Sequence, residues 1–536
     1  MQITETLERA RTLHRSGRIN EARDAYMRVL KAEPDNADAL HLLGVTALQG
    51  GRHGEAVELI GEALRARPSF AQALNNRGAA LRELGRPNEA LRDFARAAEL
   101  DPGFADAHYN AGTQCYLQGR FDEAAQSLRK TVQLEPELAE AHLNLGSALR
   151  NLRRHDEAEQ AYLRVLELDP GIAQAHCNLG ANHRAVGHYE QAVKCLRKAI
   201  ELDPGYGEAY YNLGNALLEL DDMAGAIAAY RRAIALQPDF AIAHANLADA
   251  LLRQDATAEG IAEYEEAIRL SPEMAELPCY LGAALLRRGD AAGALAAAGR
   301  SLTAAPGNTR GLSLQAVALN ETGDTQGVAR LLDYERFVRP IRIQQVPRYA
   351  SVAAFNEALC KHVLNHPSLV SDPTNHATKN GMHTGELLSE PKGPMSAFEQ
   401  VIGEAIEQYR ESLQPGHPFT DAAPQHHVKT VWGVVMHAQG HQVAHDHPSA
   451  WLSGVYYPRI PEVVQKQSGQ HAGWIEFGRP PEGFNCRATP HLHTIAPEEG
   501  LLVLFPAYVY HLTIPYEADQ MRISIAFDVV PAGGPP

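Results

Sequence analysis

Nine prolines recur at a fixed step of 34 residues: Pro34, Pro68, Pro102, Pro136, Pro170, Pro204, Pro238, Pro272 and Pro306. Two further series keep the same step. Gly44, Gly78, Gly112, Gly146, Gly180, Gly214 and Gly282 form one, with Ala248 in the gap. Ala22, Ala56, Ala90, Ala124, Ala158, Ala192, Ala226 and Ala294 form the other, interrupted by Gly260. Such a period confines this part of the chain to a stacked architecture, because each unit can bury its apolar face only against its neighbours. Within a unit, Leu, Tyr and Val recur at three- and four-residue spacing, which predicts helices with one apolar face. The small residues let two helices approach closely, and the proline after the second stops it from continuing.

A representative unit, AEAHLNLGSALRNLRRHDEAEQAYLRVLELDP over 139–170, resembles the tetratricopeptide repeat. The resemblance implies an all-α superhelix of antiparallel helix pairs, assigned to residues 1–334, with a degenerate pair over 311–333 as a cap. Arrays of this family bind proteins or peptides in a concave groove. Asn76, Asn110, Asn144, Asn178, Asn212 and Asn246 also recur at the 34-residue step, on the first helix of each unit. An asparagine both donates and accepts, so a ladder of them could grip an extended peptide whatever its side chains. The placement resembles that in the repeats of the O-linked N-acetylglucosamine transferase. The plainer alternative is that each asparagine packs or hydrates its own helix turn.

Composition narrows the partners. At 536 residues and a formal net charge of -16, the chain has no basic footprint for general nucleic-acid binding. No apolar leader follows the first methionine and no stretch is long enough for a membrane span, so neither secretion nor a membrane is expected. The six cysteines (Cys115, Cys177, Cys195, Cys279, Cys360 and Cys486) lack CxxC spacing, as expected of reduced thiols in a cytoplasm. Oligomeric state is not legible.

After Pro306 the period fades. ERFVRPIRIQQVPRYA, over 335–350, reads as a linker, and 351–536 as a second domain. Fifteen of the twenty-five histidines and all three tryptophans lie after residue 350. Helices are expected near 351–364 and 394–413. Short strands follow from about Val428: VKTVWGVVMHA, WLSGVYYPRI, GWIEFGRP, GLLVLFPAY and MRISIAFDVV. Their spacing predicts a small double-sheet jelly roll with flanking helices.

The segment HQVAHDHPSAWLSGVYYPRIPE, over 441–462, carries the chemistry. On a strand His445 and His447 share one face and Asp446 takes the other, so the two imidazoles could chelate one ion. A third ligand is expected from a later strand, and His511 follows the apolar run LVLFPAYVY. Arg522 and Ser524 share a face of the last strand. Together with Trp432, Gly440, GWIEFGRP and LFPAYVYH, this set resembles the iron(II)- and 2-oxoglutarate-dependent oxygenases, more narrowly a bacterial family often fused to tetratricopeptide repeats. The likeness extends more loosely back through PTNHATKNGMHT, over 373–384.

The resemblance implies Fe(II) held by His445, His447 and His511, and 2-oxoglutarate clasped by Arg522 with help from Ser524. It implies a dioxygenase that hydroxylates a side chain of a protein or peptide held by the repeats. The wider superfamily carries Asp where this chain has His447, and Asp446 stands as the alternative third ligand if a bulge turns it inward. Two other readings stay open: a non-catalytic scaffold with a degenerate metal- or ligand-binding jelly roll, and a three-histidine oxygenase that uses no 2-oxoglutarate. His437, His441, His471, His491 and His493 are expected at the surface or as satisfied polar residues. Trp451, Tyr456 and Tyr457 are expected in the core or a pocket wall, and Trp474 and Glu476 as sheet partners. Cys486 has no activated setting, and neither a GxSxG elbow nor a Walker loop occurs.

Overall fold

The computed structural model describes residues 2–371, 377–389, 391–465, 471–517 and 520–532. The chain falls into two compact units, Met1–Pro238 and Asp239–Pro536.

The first unit is helical throughout, alternating from Gln2–Arg15 to Met223–Leu236. The glycine series sits where the two helices of a pair press together. A Cβ on Gly146 would lie 2.6 Å from the Tyr162 ring, and one on Gly214 would lie 2.5 Å from Tyr230. Both rings are fully buried, so the missing side chain makes room for the main apolar anchor of each pair. Each first helix also touches the first helix of the next pair, whereas second helices make no comparable contact with one another among the described residues. That asymmetry curves the stack, with first helices on its inner side. Turns within pairs need a left-handed residue: Gly51, Gly85 and Gly119 supply it, but Arg153 takes φ +57° in the same place.

The second unit opens with six more helices in the same alternation, from Ala241–Arg253 to Thr325–Leu331. Among the described residues, the short helix Tyr334–Phe337 and ten strands follow: β1 (Arg339–Arg342), β2 (Val370–Ser371), β3 (Thr378–His383), β4 (His427–Gln442), β5 (Leu452–Arg459), β6 (Ile475–Phe477), β7 (His493–Ile495), β8 (Leu501–Pro506), β9 (His511–Thr513) and β10 (Arg522–Pro531). The stretch read as a linker thus contributes an edge strand, β1, paired with β8. Part of PTNHATKNGMHT, residues 373–376, lies outside the described residues; the rest forms β3.

The strands make a seven-stranded sheet, ordered β1-β8-β5-β10-β4-β3-β2, and a three-stranded sheet, β7-β6-β9. This is the jelly-roll-like, curled antiparallel arrangement that the strand spacing predicted. Helices Val352–Leu364 and Met395–Ser412 cover one face of the large sheet. There Phe355 and Phe398 pack on Tyr456, with ring centroids 6.2 and 5.7 Å apart. Phe527 lies over Gly454, where a Cβ would come within 2.3 Å of its ring. The other face turns toward the small sheet, and Phe477 meets Phe505 at 5.1 Å. Alternation along β10 therefore places Ile523, Ile525, Phe527 and Val529 under the helices, and Arg522, Ser524, Ala526 and Asp528 on the inner face. Among the described residues no helix is long and apolar enough to cross a membrane.

Arg153 has a Cβ in a conformation that favours glycine. Arg153→Gly should stabilise the first unit by about 0.5–1 kcal/mol, the left-handed strain relieved less the extra chain entropy of glycine. Equilibrium urea unfolding measures it; a loss of stability would show that the arginine side chain matters more than its backbone.

Candidate metal centre

His445 and His447 lie not on a strand, as the pattern suggested, but in the loop between β4 and β5. Pro448, which has no N–H to offer a ladder, follows at once. The loop is still extended locally, because it pairs with the first residue of β9 and the turn before it. His445 and His511 exchange backbone hydrogen bonds of 3.1 and 3.0 Å, and the His447 N–H donates to the Ala507 carbonyl at 3.0 Å. Alternation therefore survives over three residues. The His445 and His447 rings turn toward His511, with centroids 4.3 and 5.1 Å from it. One nitrogen from each ring lies within 4.8 Å of the others, and no other such group of three occurs among the described residues. Asp446 faces the opposite way, its Oδ2 2.6 Å from Ser313 Oγ.

Each imidazole has its Nδ1 committed. His445 Nδ1 lies 2.8 Å from the Val443 carbonyl, and His511 Nδ1 3.1 Å from that of Val509. His447 Nδ1 lies 2.9 Å from Asp528 Oδ2. All three partners are acceptors only, so every Nδ1 carries the proton and a neutral ring presents its Nε2 lone pair to the centre. His447 Nε2 and His511 Nε2 stand 3.3 Å apart. Facing lone pairs at that distance repel unless a cation or proton lies between them. Two nitrogens bound at about 2.1 Å to one ion and at right angles would sit about 3 Å apart. The donor set fits a divalent ion.

Electrostatics favour neutral rings at His445 and His511 but not at His447. Burial, and then the neighbouring His447, pushes His445 down to about 4. Burial and both other rings push His511 well below the usual histidine range. Burial also disfavours charge on His447, but the Asp528 carboxylate and its hydrogen bond outweigh this and raise it. Asp446 is raised by burial, against the pull of Ser313 and Arg310.

Arg522 is buried, its Nη1 donating to the Gly473 carbonyl at 2.6 Å and its guanidinium 5.2 Å over the Tyr457 ring. Its Nε and the Tyr457 hydroxyl are both buried and have no hydrogen-bond partner among the described residues. Two orphaned donors beside a cation suit a carboxylate. Ser524 is buried on the same strand face. A separate cavity of about 650 Å³ opens beside the histidines, with His445, His447, Trp432, His383 and Thr378 among its walls; Arg522 and Ser524 do not line it. Trp432 stacks on His447 at 5.9 Å and on His383 at 6.0 Å.

The asparagine series has local partners. Asn76 Nδ2 meets His41 Nε2 at 2.9 Å, Asn110 donates to Asn75 at 3.0 Å, and Asn144 to Tyr109 and Thr113, each at 3.3 Å. Asn178 reaches Ser147, and Asn212 the sulfur of Cys177. These five amides therefore each spend an N–H on the preceding pair, and Asn246 stands in the second unit. Of the other residues considered, Tyr456 donates to Asn356 and Trp451 to the Phe419 carbonyl, both within the core. Glu476 holds Arg479, and Trp474 stacks on His471. His491 and His493 stack on Tyr334. Burial and Glu321 push the Cys486 thiol up to about 11, far from a nucleophile's range.

One side chain beside the histidines, Asp528, has no counterpart among the sequence expectations, and Tyr457 is expected there only as core or pocket wall. Asp528 orients His447 and is itself held by Ser453, whose hydroxyl donates at 2.6 Å; Tyr457 flanks Arg522. The alternation Arg-x-Ser-x-Ala-x-Asp against Ile, Ile, Phe and Val in β10 was the available signal for the aspartate. Asp528→Asn should weaken binding of a divalent probe such as Co(II) by about 10–100-fold, because the amide supplies no charge and can impose the wrong tautomer. A titration followed by visible absorption tests this, and an unchanged affinity would remove Asp528 from the site.

A family model described as "Putative 2OG-Fe(II) oxygenase" matches residues 430–528. Tetratricopeptide-repeat models match 7–69, 118–171, 177–239, 224–275 and 245–309, and others match 71–104 and 105–130. No curated protein matches the chain significantly. Among solved structures, the Cut9-Hcn1 hetero-tetramer of the APC/C aligns at 20% identity and TM-score 0.39 over 52% of this chain and 55% of that one; this chain thus spans little more than half of that relative's length. YrrB, titled a TPR protein with an unusual peptide-binding site, aligns at 25% identity and TM-score 0.31, over 35% of this chain and 96% of that one. Part of a TPR repeat-containing protein from Cytophaga hutchinsonii aligns at 19% identity and TM-score 0.37, over 45% and 99%. With its repeats matched between residues 7 and 309 and its histidine-bearing sheets by the oxygenase model, the chain belongs to the tetratricopeptide-repeat proteins fused to a domain of that 2OG-Fe(II) oxygenase family.

Proposed function

We propose that the sheet domain is an Fe(II)- and 2-oxoglutarate-dependent dioxygenase that hydroxylates a side chain of a protein or peptide captured by the repeats. The convergence of three Nε2 lone pairs, each fixed by an acceptor behind its ring, carries the reading. His445, His447 and His511 hold the iron; Asp446, turned away, is not needed. Arg522 receives the distal carboxylate of 2-oxoglutarate through its orphaned Nε, with the Tyr457 hydroxyl beside it and Ser524 nearby. Bound iron, with 2-oxoglutarate and oxygen, supplies the oxidising power for an unactivated C–H bond. The protein's part is to keep the His445 and His511 rings neutral, to seat an anion on a buried guanidinium, and to offer the cavity beside Trp432 to the substrate side chain.

The repeats would raise the local concentration of the target, so a weak pocket suffices. In this reading the asparagines present their carbonyls and remaining N–H groups to a peptide while tying neighbouring pairs together. Six unpaired cysteines suit a cytoplasmic enzyme. The second reading, a non-catalytic scaffold, rests on the His447 that replaces the superfamily's aspartate.

Incubation with Fe(II) and 2-oxoglutarate should release succinate, and Arg522→Ala should weaken 2-oxoglutarate binding by roughly 10–100-fold, the worth of a charge-assisted bond. No succinate, together with 2-oxoglutarate binding indifferent to Arg522, would favour the scaffold. Replacing Asn110, Asn144 and Asn178 together by Ala should weaken polypeptide capture several-fold; a lowered melting temperature with undiminished capture would make them struts only.

A further inference from the structure

We infer that the first helix of the last repeat pair, Thr309–Thr322, is a structural part of the metal site, with Ser313 and Thr309 as positioning residues for the histidine-bearing segments. The inference rests on the metal reading above. Ser313 Oγ is fully buried and sits between two segments far apart in sequence. It lies 2.6 Å from Asp446 Oδ2 and 2.7 Å from the Tyr508 carbonyl. Asp446 separates His445 from His447, and Tyr508 lies three residues before His511. One hydroxyl on the repeat helix therefore touches both segments that deliver the three rings, on the side away from the Nε2 atoms. One turn earlier, Thr309 donates to the Ala450 carbonyl at 2.8 Å, and the Ala450 N–H returns to the His447 carbonyl at 3.0 Å. At the other end of the helix, Glu321 accepts from the backbone N–H groups of Arg487 and Ala488.

Comparison among the units shows that this helix departs from its own pattern. The position of Thr309 is Ile3, Ala37, Ala71, Ala105, Ala139, Ala173, Gly207, Ala241 and Ala275 in the earlier pairs. A hydroxyl appears there only in the pair beside the histidine loop. Asp446, unsuited as a ligand because of its direction, acquires a use: it is the handle by which the loop is held. Outer contacts that orient ligands typically govern metal affinity by about 10–100-fold, and the histidine loop, having no strand ladder beyond the His445 pair, depends on such contacts.

The test uses the full chain and Co(II). Ser313→Ala and Thr309→Ala should each weaken Co(II) binding, the first about tenfold, at an unchanged melting temperature of the apo protein, and Thr309→Ser should retain the native affinity. Thr309→Ala restores the residue of the other repeats, so it decides the matter if Ser313→Ala fails to fold. Wild-type affinity in the foldable alanine variants, with His511→Ala unable to bind, would overturn the positioning role and leave the metal reading intact. A wild-type chain that binds no Co(II) would overturn both.

Discussion

The reciprocal hydrogen bonds between the backbones of His445 and His511 decide where three side chains go. They join the loop between two strands of the large sheet to the first residue of β9 in the small one. Once that pair is closed, extended geometry carries His447 back to the same side and sends Asp446 to the other. The carbonyls of Val443 and Val509 then lie behind their own loops' rings, so the same local backbone that places each imidazole also sets its tautomer. Position and protonation are one consequence of one pairing.

Charge is arranged around this centre rather than within it. Burial holds His445 and His511 toward the neutral form, whereas the Asp528 carboxylate, one hydrogen bond behind His447, draws that ring toward charge. A carboxylate behind an imidazole makes that ring a better donor and compensates a cation at lower field than direct ligation would. The pattern in which the superfamily uses a ligating aspartate is thus changed in detail, while a carboxylate is still present in the ensemble. Arg522, at the opposite end of the same strand face, provides the complementary charge, and Tyr457 on β5 a buried hydroxyl beside it.

The helical array was legible because its information is one-dimensional: a step of 34 residues, a small residue at each close approach and a proline at each stop. The histidine pair and its distant partner were legible too, the first as a spacing and the second as a position after an apolar run. Asp528 and Ser313 were not, since packing of the histidine loop against β10 joins 447 to 528 and helix docking joins 446 to 313, neither of which leaves a local trace. The loop around His445 alternates its side chains as a strand would without being one, because Pro448 ends the ladder and a single bridge is enough to set their directions. Strands β2, β7 and β9, of two or three residues, are too short to show a period at all. The asparagine series was visible as a pattern, but its contacts with the preceding pairs came only from side-chain geometry.

The regularity of the first unit has an evolutionary corollary. Its pairs are interchangeable in outline, whereas the Thr309–Thr322 helix carries substitutions that belong to the loop it supports. Duplication or deletion of whole 34-residue modules in the first unit would lengthen or shorten the array by one pair at a time. A lineage could thereby change the length of its array by recombination while the Thr309–Thr322 helix and the loop it holds stayed as they are.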